Sequence, residues 1–167
     1  MRSPLTQETL FFSRTDSPIG VLTLVASRTG VVAIEFPGHD FPPQRPGKFQ
    51  YVEDANYTRE CAEQLKAYFA GTRREFSVPL DLRGTDFQLQ CWHALLDIPY
   101  GETRSYAEIA RTVGNPQAFR AVGMANHCNP IPIIVPCHRV VAANGTLCGY
   151  GGGLDIKRRL LDLERGV

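Results

Sequence analysis

Short apolar runs typical of β-strands dominate the first part of the chain. Two of them, IGVLTLVA at 19–26 and VVAIEF at 31–36, flank the turn sequence SRTG, which ends in Gly30. Apolar, β-branched runs joined by a short glycine-containing turn predict an antiparallel hairpin. TLFFSRTD at 9–16 predicts a third strand. We therefore expect a small antiparallel sheet, followed by a surface loop at 37–48, where proline and glycine are dense.

Two segments in the middle of the chain have the periodicity of amphipathic helices. In the first, residues 56–72, a glycine follows the last apolar position, as at many helix ends. In the second, residues 85–101, Thr85 and Gln88 have the spacing of a capping box. We assign the apolar stripes, including Cys91, to the core rather than to chemistry. The stripes are Cys61, Leu65, Tyr68 and Phe69, and Phe87, Cys91, Leu95 and Ile98.

The segment SYAEIARTVGNPQAFRAVGMAN at 105–126 predicts two short helices joined by a turn. Ser105 and Glu108 repeat the capping-box spacing, and the turn has the sequence Gly-Asn-Pro at 114–116. This is the arrangement of a helix-turn-helix unit. Such units occur in DNA-binding proteins and also as plain packing units, so the motif alone does not decide between the two.

The second of these helices has one face of small residues, at the spacing i, i+3, i+4, i+7. Small side chains allow a helix backbone to approach another helix or the floor of a DNA groove. Arg120, at the start of this helix, has the reach to contact a phosphate, an aromatic ring or a base stack, and the alternative is a solvated arginine. The residues of the small face are Ala118, Ala121, Val122 and Ala125.

The apolar run IPIIVP at 131–136 predicts a buried strand that delivers Cys137 at its end. His138 follows directly. Neighbouring side chains on a strand point to opposite faces, so His138 accepts the proton of Cys137 only if the backbone turns or if a water bridges the pair. Pro136 favours the turn. The alternative is a buried, unreactive cysteine beside a histidine with satisfied hydrogen bonds.

A histidine that acts as a base usually needs a partner for its second ring nitrogen. The last predicted helix, LDIKRRLLDLERG, offers Asp155, Asp162 and Glu164, and the spacing does not rank them. The preceding GYGGG at 149–153 lacks the spacing of a phosphate-binding loop. We interpret it as a flexible loop and predict no nucleotide cofactor.

Composition excludes several classes of protein. With 167 residues, 43% of them hydrophobic, and a net charge of +1, the chain is not a broadly basic nucleic-acid coat. No apolar run has the length of a membrane span, and the N-terminus lacks the features of a signal peptide. Five scattered cysteines favour reduced thiols over a disulfide scaffold or a metal site. We therefore expect a cytoplasmic protein without a bound metal.

Three motifs together resemble the methylated-DNA–protein-cysteine S-methyltransferases, the O6-alkylguanine-DNA alkyltransferase family. They are IPYGETRSYAEIA at 98–110, NPQAFRAVGMANHCNP at 115–130, and PCHRVVAANGTLCGYGGGLDIKRRLLDLE at 136–164. The match is close over 85–164, whereas the first 80 residues match mainly through TDSPIGVLTLVA. The resemblance implies an α+β fold. A ribonuclease-H-like sheet lobe at 1–80 is expected to precede a helical, winged-helix-type lobe at 81–167 that binds DNA and accepts the alkyl group.

The resemblance also implies an active site. Cys137 matches the acceptor cysteine, His138 the histidine that activates it through a water, and Glu164 the carboxylate that orients this histidine. Asn129 matches the asparagine that joins this network. Tyr106 matches the tyrosine that rotates the target phosphate and donates a hydrogen bond to the flipped base.

For DNA, the resemblance implies an interface formed by Arg120, Tyr106, Asn115, Ala121 and Ala125, in which the second helix enters the minor groove. Arg120 matches the arginine that fills the gap left by the flipped base. The loop with Tyr150 and Gly151 matches the loop beside the alkyl pocket. Our hypothesis is that glycine at 151 leaves room for groups larger than methyl.

The implied reaction is stoichiometric transfer of a methyl or larger alkyl group from O6-alkylguanine in double-stranded DNA, and from O4-alkylthymine, to Cys137. The thioether product makes each molecule act once. We expect a monomer in solution and leave cooperative binding on DNA open. The rival hypotheses are a module that binds alkylated guanine without accepting the alkyl group, and a cysteine hydrolase built on Cys137 and His138.

Overall fold

A four-stranded sheet forms the N-terminal lobe. The structure is a computed structural model that describes residues 7–43 and 47–167. The strand order is β3-β2-β1-β4, and the pairings of β1 with β2 and of β2 with β3 are antiparallel, as predicted. The strands are β1 (Glu8–Thr15), β2 (Leu22–Ala26), β3 (Val31–Glu35) and β4 (Phe49–Glu53).

Strand β4 pairs parallel to β1, so the sheet is mixed and the prediction of a purely antiparallel sheet is wrong at this edge. The sequence FQYVE gives little signal, because this edge strand has no fully buried residue. Parallel pairing requires a long connection between the two strands, and here β2 and β3 supply it. Pairing partners so far apart in sequence are not visible in a local pattern.

The loop after the hairpin covers the outer face of the sheet. Phe41 packs edge to face against Phe12 and Tyr51, with ring centroids 5.2 Å and 4.9 Å apart. Arg14 donates a hydrogen bond to the carbonyl oxygen of Phe41 at 2.8 Å. The predicted loop at 37–48 is therefore a packed cover over its described part, and residues 44–46 lie outside the described residues.

Within residues 7–43 and 47–167, five α-helices lie where periodicity and capping predict them, and both predicted capping boxes form. No helix in the described ranges is long and apolar enough to cross a membrane. The helices are α1 (Arg59–Phe69), α2 (Asp86–Leu96), α3 (Tyr106–Thr112), α4 (Phe119–His127) and α5 (Leu154–Arg165), and short 3-10 helices span Ala55–Tyr57 and Cys137–Arg139.

One core joins the sheet to the helices. A single cluster of buried residues includes Leu24 and Ile34 from the sheet and Tyr68, Trp92 and others from the helices. Cys91, assigned to the core from its spacing, is fully buried. The two lobes therefore share a hydrophobic core, which keeps the elements that carry the candidate chemistry in a fixed arrangement.

A two-stranded parallel sheet links the start of α3 to the Cys-His segment. Strand β5 (Arg104–Ser105) pairs with β6 (Val140–Val141). Tyr106 follows β5 directly, and the 3-10 helix that begins at Cys137 precedes β6. This pairing brings the side chains of Tyr106 and Cys137 to the same cavity.

Candidate active site and DNA-binding face

The segment before Cys137 is buried as predicted but is not a strand. Residues 131–135 form turns, and Ile133 has a left-handed φ of 75°. Prolines at 130 and 132 have no N–H group to donate to a sheet, so the run does not join one. Its burial follows from its apolar composition, whereas its conformation follows from these prolines and from Asn129.

Asn129 organises this turn and contacts the cysteine. Its Oδ1 accepts a hydrogen bond from the backbone N–H of Ile131 at 3.0 Å, and its Nδ2 donates to the carbonyl oxygen of Val135 at 2.8 Å. The same Nδ2 lies 3.2 Å from Cys137 Sγ, in donor geometry. Asn129 thus fixes the turn and supplies a hydrogen bond that stabilises negative charge on sulfur.

The backbone turns at Cys137, as Pro136 suggested, because Cys137–Arg139 is a 3-10 helix. His138 Nε2 lies 2.7 Å from Glu164 Oε1, and both side chains are fully buried. Of the three acids that the spacing left open, the structure therefore brings Glu164 to His138. Asp155 is exposed on α5.

Glu164 is held by more groups than the sequence indicated. Arg139 donates from Nε and Nη2 to the two carboxylate oxygens, both at 2.9 Å. Tyr68 Oη donates at 2.8 Å and the backbone N–H of Gly101 at 3.3 Å. A buried carboxylate with this number of donors is stable only as the anion.

The charges of the network follow from its burial and its donors. Burial alone raises the pKa of Glu164, but hydrogen bonds from His138 and Arg139 outweigh burial and lower the pKa to about 2. Burial lowers the pKa of His138 despite the neighbouring carboxylate. The Arg139 guanidinium, paired with Glu164 at 2.9 Å, therefore balances the charge of the carboxylate, and the imidazole is neutral near pH 7.

The tautomer of His138 follows from this balance. An ionised carboxylate only accepts hydrogen bonds, so His138 Nε2 carries the proton and Nδ1 holds the lone pair. His138 Nδ1 is buried and has no hydrogen-bond partner among the residues described. It is the basic atom of the pair. Cys137 Sγ accepts its side-chain hydrogen bond from Asn129. Within the described chain, no direct hydrogen bond joins Cys137 Sγ to the ring of His138.

Two cavities open onto Cys137. One of about 260 Å³ lies between Tyr106, Gly123 and the loop that carries Tyr150 and Gly151. The other, of about 160 Å³, lies between that loop and the end of β3. Both have Cys137 in their lining, so sulfur is accessible to a small molecule or an extruded base, although only 7% of the residue is exposed.

Tyr106 borders the larger cavity and is placed as a proton donor. Its Oη donates to the carbonyl oxygen of Cys148 at 3.3 Å. Burial, with the nearby Cys148, raises the pKa of the phenol, so the hydroxyl keeps its proton at neutral pH. Gly123 on α4 lies under its ring, where an added Cβ would sit 3.9 Å from the ring carbons.

The small face of α4 is divided between core and surface: Val122 and Ala125 are buried, contrary to the prediction for Ala125, whereas Ala121 is exposed. Ala125 is 2% exposed, and its carbonyl oxygen accepts a hydrogen bond from Trp92 Nε1 at 2.9 Å. An amphipathic helix turns its apolar stripe to the core, so Ala125 is unavailable to DNA. Arg120 and Ala121 are exposed, and so is Asn115 in the turn before the helix.

The surface that α4 offers instead includes a residue that the sequence analysis missed. Met124 is 62% exposed, one turn after Arg120, and His127 continues the same face. The i, i+4, i+7 spacing from Arg120 was the signal available in the sequence.

The loop at 149–153 is a wall of the site rather than a phosphate cradle. The Tyr150 hydroxyl is buried without a hydrogen-bond partner in the described part of the chain. Burial, with nearby Cys137, raises the pKa of this phenol well above its ordinary value. A Cβ added at Gly151 would meet no atom within 4 Å, so there is open space beside this position.

Lys157 is a second residue that the sequence analysis missed. It is fully buried, and its Nζ donates to the carbonyl oxygens of Val140 at 2.7 Å and Cys148 at 3.0 Å. Lys157 lies on the buried stripe of α5 with Leu160, Leu161 and Glu164. A lysine and a glutamate at core positions of an amphipathic helix are the sequence signal that marks both.

All five cysteines lie in the described part of the chain, and each is a free thiol. Within that part, no group of three His, Cys, Asp or Glu side chains is arranged to hold a metal ion. The prediction of a protein without bound metal stays a prediction, which metal analysis of the purified protein tests.

Comparison with known families and proteins gives matches over nearly the whole chain. The family 6-O-methylguanine DNA methyltransferase matches in two parts, its ribonuclease-like domain over residues 10–82 and its DNA binding domain over residues 86–166. The chain is 53% identical over 150 residues to the methylated-DNA–protein-cysteine methyltransferase of Mycobacterium tuberculosis, which covers 90% of this chain and 89% of that protein. The protein of the same name from Methanosarcina acetivorans is 49% identical over 155 residues, with 93% and 98% covered.

Solved structures have the same fold. The Mycobacterium tuberculosis O6-methylguanine methyltransferase superposes with a TM-score of 0.84 at 50% identity, covering 94% of this chain and 93% of that chain. The Mycobacterium tuberculosis OGT in complex with DNA superposes with a TM-score of 0.82 at 49% identity, covering 95% and 93%.

Proposed function

Because this chain belongs to the 6-O-methylguanine DNA methyltransferase family, we propose that it repairs DNA by moving an alkyl group from O6 of a modified guanine to its own Cys137. The observation that carries this assignment is the environment of the sulfur. Cys137 lines an accessible cavity, bonds Asn129 at 3.2 Å, and precedes a histidine anchored to Glu164 at 2.7 Å.

The reaction is an in-line displacement at the alkyl carbon. The Cys137 thiolate attacks, the sulfur–carbon bond forms as the carbon–O6 bond breaks, and the electron pair of the broken bond stays on guanine. A hydrogen bond from Tyr106 makes guanine a better leaving group. The proton lost by the thiol replaces the alkyl group on the base, so guanine is restored.

Activation of the thiol is coupled to the reaction rather than present at rest. Burial raises the pKa of Cys137 to about 11, despite the hydrogen bond from Asn129 and the charge of Lys157. At neutral pH the resting group is therefore a thiol, which is a weak nucleophile. His138 Nδ1 accepts the proton through a bridging water, and Glu164 holds the ring in the tautomer that makes this possible.

The product limits each molecule to one reaction. A thioether is reversed neither by hydrolysis nor by thiol exchange, so Cys137 is consumed. The stoichiometry is one alkyl group per protein chain, and the protein is a single-turnover transferase.

The target base has to leave the duplex, because its O6 substituent cannot be attacked inside the stack. We assign the DNA-binding face to the exposed residues of the helix-turn-helix unit, namely Asn115, Arg120 and Ala121, with Tyr106 at the mouth of the cavity. Arg120 fills the gap left in the stack and offsets part of the unstacking cost. Entry of α4 into the minor groove is supported by the small side chain at Ala121.

Further parts of the proposal concern substrate range and setting. The same displacement serves O4-alkylthymine, which carries an equivalent alkyl–oxygen bond.

We propose a monomer that works in the cytoplasm, where Cys137 stays reduced. The division of the chain at residues 80 and 81 is also a proposal. The backbone N–H of Asp81 donates a hydrogen bond to the carbonyl oxygen of Val31 at 2.8 Å. Residue 81 is therefore still in contact with β3 of the first lobe at this boundary.

The first experiment is intact-mass analysis after incubation with a duplex that contains one O6-methylguanine. We expect one added methyl group per chain, mapped to Cys137, and no change in Cys137→Ser. Binding without a mass change would replace the proposal with a damage-recognition module. Repeated turnover of ester or amide substrates would favour a cysteine hydrolase instead.

A further inference from the structure

The end of strand β3 reaches the acceptor site from the other lobe. The backbone N–H of Ile34 donates to the carbonyl oxygen of Pro130 at 2.9 Å. This bond joins β3 to the turn that Asn129 organises, seven residues before Cys137. The sheet lobe therefore contacts the segment that positions the sulfur.

Phe36, directly after β3, makes the second contact of this kind. It is 8% exposed, and its ring packs edge to face on Tyr150, with centroids 5.6 Å apart and planes at 61°. Such aromatic pairs contribute beyond the area they bury. The position of Tyr150 beside Cys137 is thus fixed partly by a residue of the first lobe.

The approach of the loop to Phe36 is as close as a glycine allows. A Cβ added at Gly152 would lie 3.1 Å from two carbons of the Phe36 ring. The backbone of Gly152 lies outside the left-handed region, so a side chain there meets no backbone strain, but the ring of Phe36 would have to move by a few tenths of an ångström to admit it. The pair Phe36 and Gly152 sets the distance between the loop and the sheet lobe.

Phe36 also lines the smaller cavity at the sulfur. This cavity of about 160 Å³ is bounded by both lobes. Since Cys137 lines it, an alkyl group on its way to sulfur has this space beside it. Among the lining residues are Phe36, Pro132, Cys137, Tyr150 and Gly151.

We propose that Phe36 is a specificity-determining residue of the alkyl-transfer site. Its ring holds the loop at 150–152 in place against Cys137 and forms the wall that limits the size of the O6-alkyl group. The sheet lobe is thereby part of the substrate site. This inference rests on the proposed transfer to Cys137 and adds to it the residue that selects among O6-alkylguanines.

Two substitutions act on this contact in different ways. Phe36→Leu withdraws the wall and loosens the packing on Tyr150, so groups larger than methyl gain room. Gly152→Ala places a methyl group against the Phe36 ring and displaces the loop, which slows transfer of every alkyl group. Because one clash causes that displacement, Phe36→Leu relieves it in the double variant.

The test measures single-turnover rate constants on duplexes that contain one O6-methylguanine or one O6-benzylguanine. We expect Phe36→Leu to raise the benzyl-to-methyl ratio of rate constants roughly tenfold, the scale set by small changes of pocket volume. We expect Gly152→Ala to slow both substrates roughly tenfold, because the loop is misplaced. The double variant should be faster than Gly152→Ala alone.

The inference is overturned if the ratio in Phe36→Leu stays within about twofold of wild type, or if the two substitutions combine additively. Phe36→Met, which nearly conserves volume but lacks the flat ring, is used if the leucine variant does not fold. Val52→Thr, an exposed change in the same sheet, should leave both rate constants unaltered. Failure of wild-type protein to methylate Cys137 would refute the proposed function itself, which keeps the two outcomes distinct.

Discussion

Glu164 holds together the buried polar groups behind Cys137. It accepts hydrogen bonds from Tyr68, Gly101, His138 and Arg139. A buried ion pair is costly to break, because the partner that remains is left charged and unsolvated. The same carboxylate fixes the tautomer of His138. Glu164 is therefore expected to affect both the stability of the fold and the reactivity of Cys137.

Glu164→Gln is expected to impair both properties. The amide keeps the size of the side chain but removes the charge that balances Arg139, so the free energy of unfolding should fall by about 3 kcal/mol or more. Loss of the His138 orientation should slow alkyl transfer by roughly 100-fold. Urea unfolding and single-turnover mass analysis measure the two effects.

Asp155→Asn is the matched control for this substitution, since Asp155 is exposed on the same helix. It should change the free energy of unfolding by about 0.5 kcal/mol at most and leave the rate constant unaltered. Wild-type transfer by Glu164→Gln would show that the reaction does not require the carboxylate behind His138.

At the scale of elements, the helix-turn-helix unit combines two opposite faces on α4. The stripe that contains Val122 and Ala125 packs into the core, whereas Arg120 and Ala121 face outward. The fold of the unit is thus explained by packing alone, and any DNA contact has to come from the exposed face. The two faces make separate predictions.

Arg120→Ala is expected to act only where a base must be flipped. Without a side chain to fill the stack, transfer from O6-methylguanine in duplex DNA should slow by roughly tenfold or more. Transfer from O6-benzylguanine as the free base should keep its rate, because no unstacking is involved. Arg59→Ala removes the same charge from an exposed site on α1 and should alter neither rate. A slower transfer in Arg59→Ala would mean that loss of positive charge, and not loss of the side chain that fills the stack, explains the effect of Arg120→Ala.

Ala121→Leu and Ala125→Leu separate the two faces of α4. At the buried site, leucine overpacks the core and should lower the free energy of unfolding by about 1–3 kcal/mol. At the exposed site, stability should be kept while affinity for duplex DNA falls, because the helix can no longer approach the groove closely. Thermal unfolding and a DNA-binding titration of both variants check this. Equal destabilisation by the two changes would contradict the assignment of the faces.

For the whole molecule, the two lobes share one core, so the buried charged groups near Cys137 contribute to the free energy of unfolding of the entire chain. The network contacts α1 through Tyr68 and α5 through Glu164, so unfolding either lobe disrupts it. Protonation of the network therefore affects the stability of the entire chain. The pKa shifts of Glu164 and His138 give the direction.

Stability is expected to fall as the pH is lowered from 7 to 3. The pKa of Glu164 is lowered to about 2 in the folded state, so its contribution is present above the ordinary pKa near 4.5 and is lost as pH falls toward 2. The pKa of His138 is also lowered by burial, so below about pH 6.5 the unfolded chain binds a proton that the folded chain does not. Both groups act in the same direction.

Urea midpoints at pH 7, 6, 5 and 4 measure this dependence. The decline between pH 7 and 5 should be shallower in His138→Gln, which has no titrating ring. A stability maximum below pH 5 in the wild-type protein would contradict the assigned charge states.

Much of the fold could be predicted because the signals are local. The capping boxes at Thr85 and Ser105 form as their spacing indicated, and the β2–β3 hairpin lies where its turn sequence placed it. The family and its chemistry were also predictable, since the motif around Cys137 is contiguous. The pairing of β4 with β1 was not, because its strand carries little alternation and its partner lies about 40 residues away.

What the sequence determined by itself is the set of short-range features: helix starts and ends, the hairpin, the burial of residues 131–135, and a cysteine beside a histidine. Each depends on residues within a few positions of one another. The tertiary structure decided what the spacing left open: that Glu164 is the acid at His138, which the family resemblance had also implied, that the run before Cys137 is a turn, that Ala125 faces inward, and that Phe36 borders a cavity at Cys137. Most of these choices depend on residues that are far apart in sequence: His138 and Glu164 are separated by 26 positions, and Tyr68 and Glu164 by 96. Contacts at such separations are selected by how whole elements pack into a shared core, and no local pattern encodes that packing.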